Sequence, residues 1–343
     1  MAALSVLKHA GNFYEQGRTN NRLTALLVLV FLLYNLLLGY SLDVLFLKND
    51  PLGLFRPASG RVPAAMLIAL IVAATYTLYC FFRGEDLVLK SIKEGSASYG
   101  DDTPGLVRVW HDDTEHRQLV NVVGEIAIAA GIPMPSIYIV NDIDPNAFAT
   151  GRDPRHASLA VTQGLLLKMD REELQAVVAH SMARIRNYDS RLMTLVATLS
   201  MGSILLVAWS GFRSLGKVLL LPLWLGLALF TALSVRALTL LIADERIYQA
   251  DVTAVELTRN PAGVIRAMEE LDFYTGATQS ISPAIGHLCV MGPSGEYRRM
   301  DNAGFGYRFA VRAHPPMSKR IEALKEMAYI LGSKPVQSSS PEA

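Results

Sequence analysis

Few residues in this 343-residue chain have side chains suited to chemistry near neutral pH. His180 sits within a helical apolar pattern, Leu174, Val177 and Val178, that opens at Asp170, a good N-cap. Ser181 follows it, and Arg184 lies one turn further on. An imidazole can ligate a metal or move a proton. A hydroxyl alone is a poor base, and a guanidinium stays protonated and has no lone pair to give. A second apolar helical stretch carries Glu245, Ile247 and Asp251, and His314 stands just ahead of a last amphipathic helix. His111, His116 and His156 lie in polar segments and read as solvated. Asp101-Asp102 and Asp112-Asp113 read as turns or caps. The two cysteines, Cys80 and Cys289, form no CxxC, which excludes a disulfide scaffold and a cysteine-based zinc site.

The elements that must position these residues are unusually apolar. Fifty-one per cent of the chain is hydrophobic and 18% charged, against about 25% charged in an average soluble domain. A purely soluble protein and a disordered one are both disfavoured. The length suggests about two units. A net charge of +1 gives no basic field for nucleic acid. Four uncharged stretches, Leu23–Leu42, Val62–Phe82, Leu192–Phe212 and Val218–Val235, each approach the roughly 20 residues of a membrane helix. The first reads as a retained anchor rather than a cleaved signal, because a polar leader precedes it and no small-residue cleavage pattern follows. Four crossings would put residues 83–191 and 236–343 on one side and loops 43–61 and 213–217 on the other. Lys/Arg counts near the spans are similar on both sides, so charge decides little about orientation.

Within the polar parts, Asp112–Ala130 reads as an amphipathic helix carrying Leu119, Val122, Val123, Ile126 and Ile128, stopped by Gly131 and Pro133. Ser136–Val140, Ala147–Thr150 and Ser158–Thr162 read as strands. The helix from Arg171 meets no stop before Leu192 and is expected to run into the third span. Asn260-Pro261 separates two further helices, residues 276–313 resist assignment, and Pro316–Leu331 is amphipathic. The resulting division is a polar leader 1–22, spans 23–82, a polar part 83–191, spans 192–235, a second polar part 236–332 and a tail 333–343. Arg236 reads as the end of the fourth span.

Segment by segment, the chain resembles the HtpX-type membrane metallopeptidases. Glu172–Asp189 matches the frame of their zinc helix, which carries H-E-x-x-H, two histidines on one face and a glutamate that activates water. Pro145–Arg152, with Asn146, Ala147, Phe148, Ala149 and Thr150 at its centre, resembles the family's substrate-side strand segment, and Ala160–Leu166 the strand and turn before the zinc helix. Arg246–Asp251 lies on its R-E-x-x-A-D segment, and Ala313–Ile321 on its T-H-P-P segment. The likeness covers roughly residues 20–330. It implies an α+β membrane protein: four transmembrane helices and a mostly helical, zincin-like (gluzincin-type) cytoplasmic domain with a small β-sheet. It also implies a prokaryotic inner membrane.

The departures fall on the catalytic positions. His180 keeps the first ligand position, but Ser181 replaces the catalytic glutamate, Arg184 the second histidine and Ile247 the third ligand. A catalytic zinc needs three protein ligands and a water, and one remains. The resemblance therefore implies a pseudoprotease with no zinc expected, binding polypeptide or serving as a subunit of a membrane complex or oligomer. The alternative is an active zinc endopeptidase in membrane-protein quality control with a rebuilt metal site. Glu245 lies two residues from Ile247, on the opposite helical face, and is a poor substitute ligand. His314 reads as positioning the C-terminal helix, with Asn187, Asp189 and Asp251 as further structural support. Arg184 either pairs with Asp251 or reaches solvent through an open cleft. The strand Asn146–Thr150 either binds an extended partner by strand addition or is an ordinary internal strand. A scaffold with its cleft closed by Arg184 and Ile247 is the third reading.

Overall fold

The computed structural model describes residues 13–45, 47–54, 61–96, 105–110, 112–211, 245–274, 280–281, 283–292 and 314–333. Two long helices come first, α1 (Phe13–Leu45) and α2 (Ala64–Ser96). Helix α1 starts inside the expected polar leader. The two helices approach closely at Gly39, where a Cβ would lie 2.5 Å from Met66 Cα. Asp43 of α1 accepts the amide N–H groups of Ala65 and Met66 and so caps the start of α2.

The expectation of four spans is corrected. Among the described residues two helices, Gln16–Val44 and Ala64–Ile92, are long and apolar enough to cross a membrane. They make the chain a membrane-associated protein. The third expected span falls in a helix whose first half is interior, with Leu192, Leu195, Val196 and Leu199 packed on Leu27 and Cys80. The fourth, with Arg236, lies outside the described residues.

The polar domain is built on a four-stranded sheet. Strands β1 (Leu106–Val109), β2 (Ser136–Val140), β3 (Ala147–Asp153) and β4 (His156–Thr162) lie in the order β1-β2-β4-β3. Only β2 and β4 run parallel. Alternation divides their side chains. Ile137, Ile139, Ala147, Leu159 and Val161 face one core with the helices described next, while Val140, Phe148 and Ala160 face Val88 and Ile92 at the polar end of α2. Helix α3 (Arg117–Ala130) buries Leu119, Val122, Val123 and Ile126 and leaves Ile128 exposed. It starts five residues later than expected, because Asp113 accepts the amide N–H groups of Glu115 and His116 and holds a turn there. Gly131 ends it in the left-handed conformation, φ 67°. A short α4 (Gln163–Lys168) leads to α5 (Arg171–Arg186). Asp170 and Glu173 form a reciprocal capping box at the start of α5.

Helix α5 does not continue into the next. It ends at Asn187, Tyr188 takes φ 58°, and α6 (Asp189–Gly211) starts in a new direction. Asn187 ties this corner to α1, donating to Gln16 Oε1 and accepting from Asn20. The remaining elements are α7 (residues 245–258), α8 (Pro261–Phe273), a 3₁₀ turn (Pro283–Leu288) and α9 (Met317–Ser333). Asn260 caps α8 with Pro261 in its first turn. The expected tail beyond Ser333 lies outside the described residues.

Candidate functional site

Helix α5 is buried from Ala176 to Ile185, lying beneath the sheet between α3, α8 and β3. Its polar side chains must therefore find partners inside the protein. Ser181 turns back to donate to the Val177 carbonyl at 3.1 Å. It faces no solvent and no acid. Ile247 on α7 is buried and offers no donor atom. Glu245, at the start of α7, is exposed.

Arg184 is 3% exposed and does not reach solvent. Its pairing with Asp251 is also corrected, since its partner is Asp189, at the turn between α5 and α6. Nε donates to Asp189 Oδ2 at 2.8 Å, and Arg246 donates to the other oxygen, Oδ1, at 2.6 Å. Burial opposes ionisation of Asp189, but the two guanidiniums outweigh it and hold the carboxyl below its ordinary range. The rest of the Arg184 fork is taken by main chain. Nη2 donates to the His287 carbonyl at 2.9 Å and Nη1 to the Leu288 carbonyl at 2.6 Å, with Cys289 O at 3.4 Å.

Asp251 serves a second arginine. Arg320, on the apolar stripe of α9, meets it with Nε at 2.8 Å and Nη2 at 2.6 Å, a bidentate pair 1–2% exposed. Asp251 Oδ1 also bonds His180 Nδ1 at 2.8 Å. Burial raises the Asp251 carboxyl, yet Arg320 and His180 bring it down to about 2. His180 is fully buried, and burial, Arg320 and Arg184 outweigh Asp251 to lower its pKa, so it is neutral. With Nδ1–H on Asp251, its Nε2 has no hydrogen-bond partner among the described residues.

Arg320 continues the grip on the same segment, donating from Nη1 to the Val290 carbonyl at 2.7 Å. His314 donates to the Cys289 carbonyl at 3.0 Å, and Asn146 Nδ2 to the Met291 carbonyl at 2.9 Å. Five consecutive carbonyls, His287 to Met291, are thus held by two guanidiniums, an imidazole and an amide. The segment lies along β3. Phe148 bridges Cys289 antiparallel, and Val290 N–H donates to Ala147 O at 2.8 Å. Thr194 of α6 takes the Gly151 N–H and meets the Thr150 hydroxyl. Strand Asn146–Thr150 is therefore an edge in sheet order but not an open edge. Asn146, Ala147, Phe148, Ala149 and Thr150 are all within 1% of complete burial.

A zinc ion does not fit this donor set. Arg184 is a guanidinium and Ile247 an alkyl chain, neither able to ligate a metal, and Asp251 is already committed to Arg320. Among the described residues no group of three or more His, Cys, Asp or Glu side chains converges to hold a metal.

Arg246, Arg320 and segment 287–291 were not legible as site components. Arg320 did carry a signal, since it shares a helical face with Met317, Ile321 and Leu324.

Neutral buried imidazoles give the domain a pH dependence. Burial pushes His287 down to about 4 and His314 to about 3, with their carbonyl partners opposing the shift and Arg184 reinforcing it. Asp189, Asp251, Arg246 and Arg320 are the other charges of the cluster. Both imidazoles have folded pKa values below the unfolded 6.5. The unfolded chain takes up protons first, so stability is full above pH 6.5 and lost as pH falls toward 4 and 3. Thermal unfolding at pH 7 and pH 5 should differ by about 4 kcal/mol from these two groups. A flat profile would mean that they are not neutral and buried.

The profile of peptidase family M48 matches residues 113–328. The chain is similar to the protease HtpX homolog of Limosilactobacillus fermentum, 32% identical over 335 residues, covering 92% of this chain and 99% of that protein. The same description and coverage apply to homologs from Limosilactobacillus reuteri and Streptococcus pneumoniae, each 32% identical.

Proposed function

The chain belongs to the HtpX branch of peptidase family M48, and we propose that it is a proteolytically silent member whose reaction centre has become a structural one. One observation carries this reading: Arg184, at the second histidine position, is buried with its guanidinium bonded to Asp189 and to main-chain carbonyls of 287–289. A cation fixed there repels a metal. The segment it holds lies where an extended substrate would add to β3.

The role that fits is that of a rigid, non-catalytic subunit of a membrane assembly. Strand addition at Asn146–Thr150 would first require residues 289–291 to leave. The apolar helices would anchor the subunit, with the polar domain on the cytoplasmic side of the membrane. One observation favours the active-peptidase reading instead, the unpartnered Nε2 of His180.

The test is a cleavage assay on an unfolded protein such as reduced casein, using the full chain in detergent with added zinc. The expected rate equals that of His180→Ala. Zinc-dependent cleavage that disappears in His180→Ala would overturn the proposal.

A further inference from the structure

The ends of the two membrane helices define a plane. The apolar stretch of α1 begins after Arg22, and that of α2 ends before Arg83. Two arginines from the polar domain come to this level from other elements. Arg191 of α6 donates from Nη1 to Asn21 Oδ1 at 2.9 Å and from Nε to the Arg152 carbonyl. Arg152 of β3 donates from Nη1 to the Phe82 carbonyl at 3.2 Å. Both guanidiniums also sit against rings: Arg191 is 4.6 Å from the Tyr188 centroid, and Arg152 is 5.2 Å from that of Phe82. The side chains line one crevice between α2, β3 and α6, with Phe81, Phe82, Thr194 and Leu195 as further walls.

Charge in the crevice is only partly compensated. Arg152 lies 3.5 Å from Asp153, which also serves His156. Among the described residues Arg191 has no carboxylate within ion-pair distance. Glu85 lines the crevice too; it accepts the Ser158 hydroxyl and offsets part of the Arg152 charge. Arg83 at the rim pairs with Asp86 and is well exposed. Below the rim, α2 presents Leu78, Tyr79 and Phe82, each more than half exposed. Nε and Nη1 of each guanidinium are engaged within the protein, which fixes both groups beside an apolar helix face at the water boundary and leaves each Nη2 to meet an anion. A soluble anion would gain from the guanidiniums alone. A phospholipid would gain from the guanidiniums through its phosphate and from the helix through its acyl chain.

We infer that this crevice binds the phosphate headgroup of an anionic phospholipid, with Arg152 and Arg191 on the phosphate and an acyl chain along Leu78, Tyr79 and Phe82. The inference rests on the two membrane helices and is independent of whether the protein cleaves peptides.

The experiment uses the full chain in neutral detergent, titrated with phosphatidylglycerol, phosphatidylcholine or soluble glycerol phosphate. Readouts are thermal stability and lipid retained in native mass spectrometry. Phosphatidylglycerol should be retained at one per chain and raise the unfolding temperature, with phosphatidylcholine and glycerol phosphate doing neither. Retention should weaken about fivefold for each arginine removed, in Arg152→Gln and in Arg152→Gln/Arg191→Gln. If the double variant does not fold, the wild-type lipid comparison and the single variant decide. Equal retention of both lipids, protection by glycerol phosphate alone, or undiminished retention in Arg152→Gln would each overturn the inference.

Discussion

Replacing Arg184 by alanine is expected to destabilise the polar domain by about 3–5 kcal/mol, the cost of breaking a buried ion pair by removing one partner. Asp189, 5% exposed on its side chain, would keep only Arg246. The carbonyls of His287 and Leu288 would lose their donor, and each unsatisfied buried group costs about 1–3 kcal/mol where water does not replace it. The loss has a location as well as a size. Hydrogen exchange should show the amides of Val290 and Met291 opening, because the segment they belong to is held against β3 from the Arg184 side. Arg184→His, the residue type the HtpX resemblance implies there, should recover little of this, since an imidazole cannot make the three-sided contact of the guanidinium. An Arg184→Ala protein as stable as the parent, with Val290 and Met291 still protected, would mean that the guanidinium does not close the cleft.

Asp251→Asn should cost a similar amount, about 3–5 kcal/mol, for the complementary reason. Arg320 is 1% exposed and would be left as a buried cation facing a neutral amide, with one acceptor oxygen lost to an NH2 group that cannot accept, and with Val290 O as its other partner. The wild-type carboxyl has a pKa of about 2, depressed from 3.8. A depressed carboxylate contributes stability that is present above 3.8 and lost as pH falls through about 2, here worth about 2 kcal/mol. Asp251→Asn should therefore remove a step from the acid unfolding profile below pH 4. It should leave the imidazole-driven loss between pH 7 and 5 in place. Combining it with Arg320→Met should restore part of the stability, because the unpaired cation leaves with its partner. If Asp251→Asn unfolds like the parent, the bidentate pair is not holding α9 to α7.

How much of this was legible in the sequence follows from where each signal lives. Local signals were read well. Asp170 marked the start of α5, Gly131 the end of α3, and Ser136–Val140 matched its strand at both ends, since capping and alternation act within a few residues. That Ser181, Arg184 and Ile247 are poor ligands needs no geometry, because a side chain is either chemically able to donate to a metal or it is not.

Longer-range geometry was hidden. Nothing in the spacing marks Tyr188 as a corner, since α5 and α6 are both good helices and the break is a left-handed tyrosine between them. Strand β1 went unread because Leu106–Val109 is short and its burial is irregular. For Arg184 the family frame offered Asp251 as a partner, with solvent as the alternative. Asp189, five residues away, proved nearer, and Asp251 was already held by an arginine on the last helix. The uncharged stretch Leu192–Phe212 read as a span because apolarity alone does not show that Leu192, Leu195, Val196 and Leu199 pack on Leu27 and Cys80. Segment 287–291 has an unremarkable composition. Its importance lies in its carbonyl oxygens, which every residue has, and in two arginines that reach them from distant elements.

The measurement that addresses the central claim most directly is zinc stoichiometry. The detergent-purified full chain would be equilibrated with excess zinc, freed of unbound metal by gel filtration, and analysed by elemental mass spectrometry. A guanidinium-centred site predicts far less than one zinc per chain, unchanged in His180→Ala. One zinc per chain that is lost in His180→Ala would contradict it, and would mean that His180 Nε2 still anchors a metal centre.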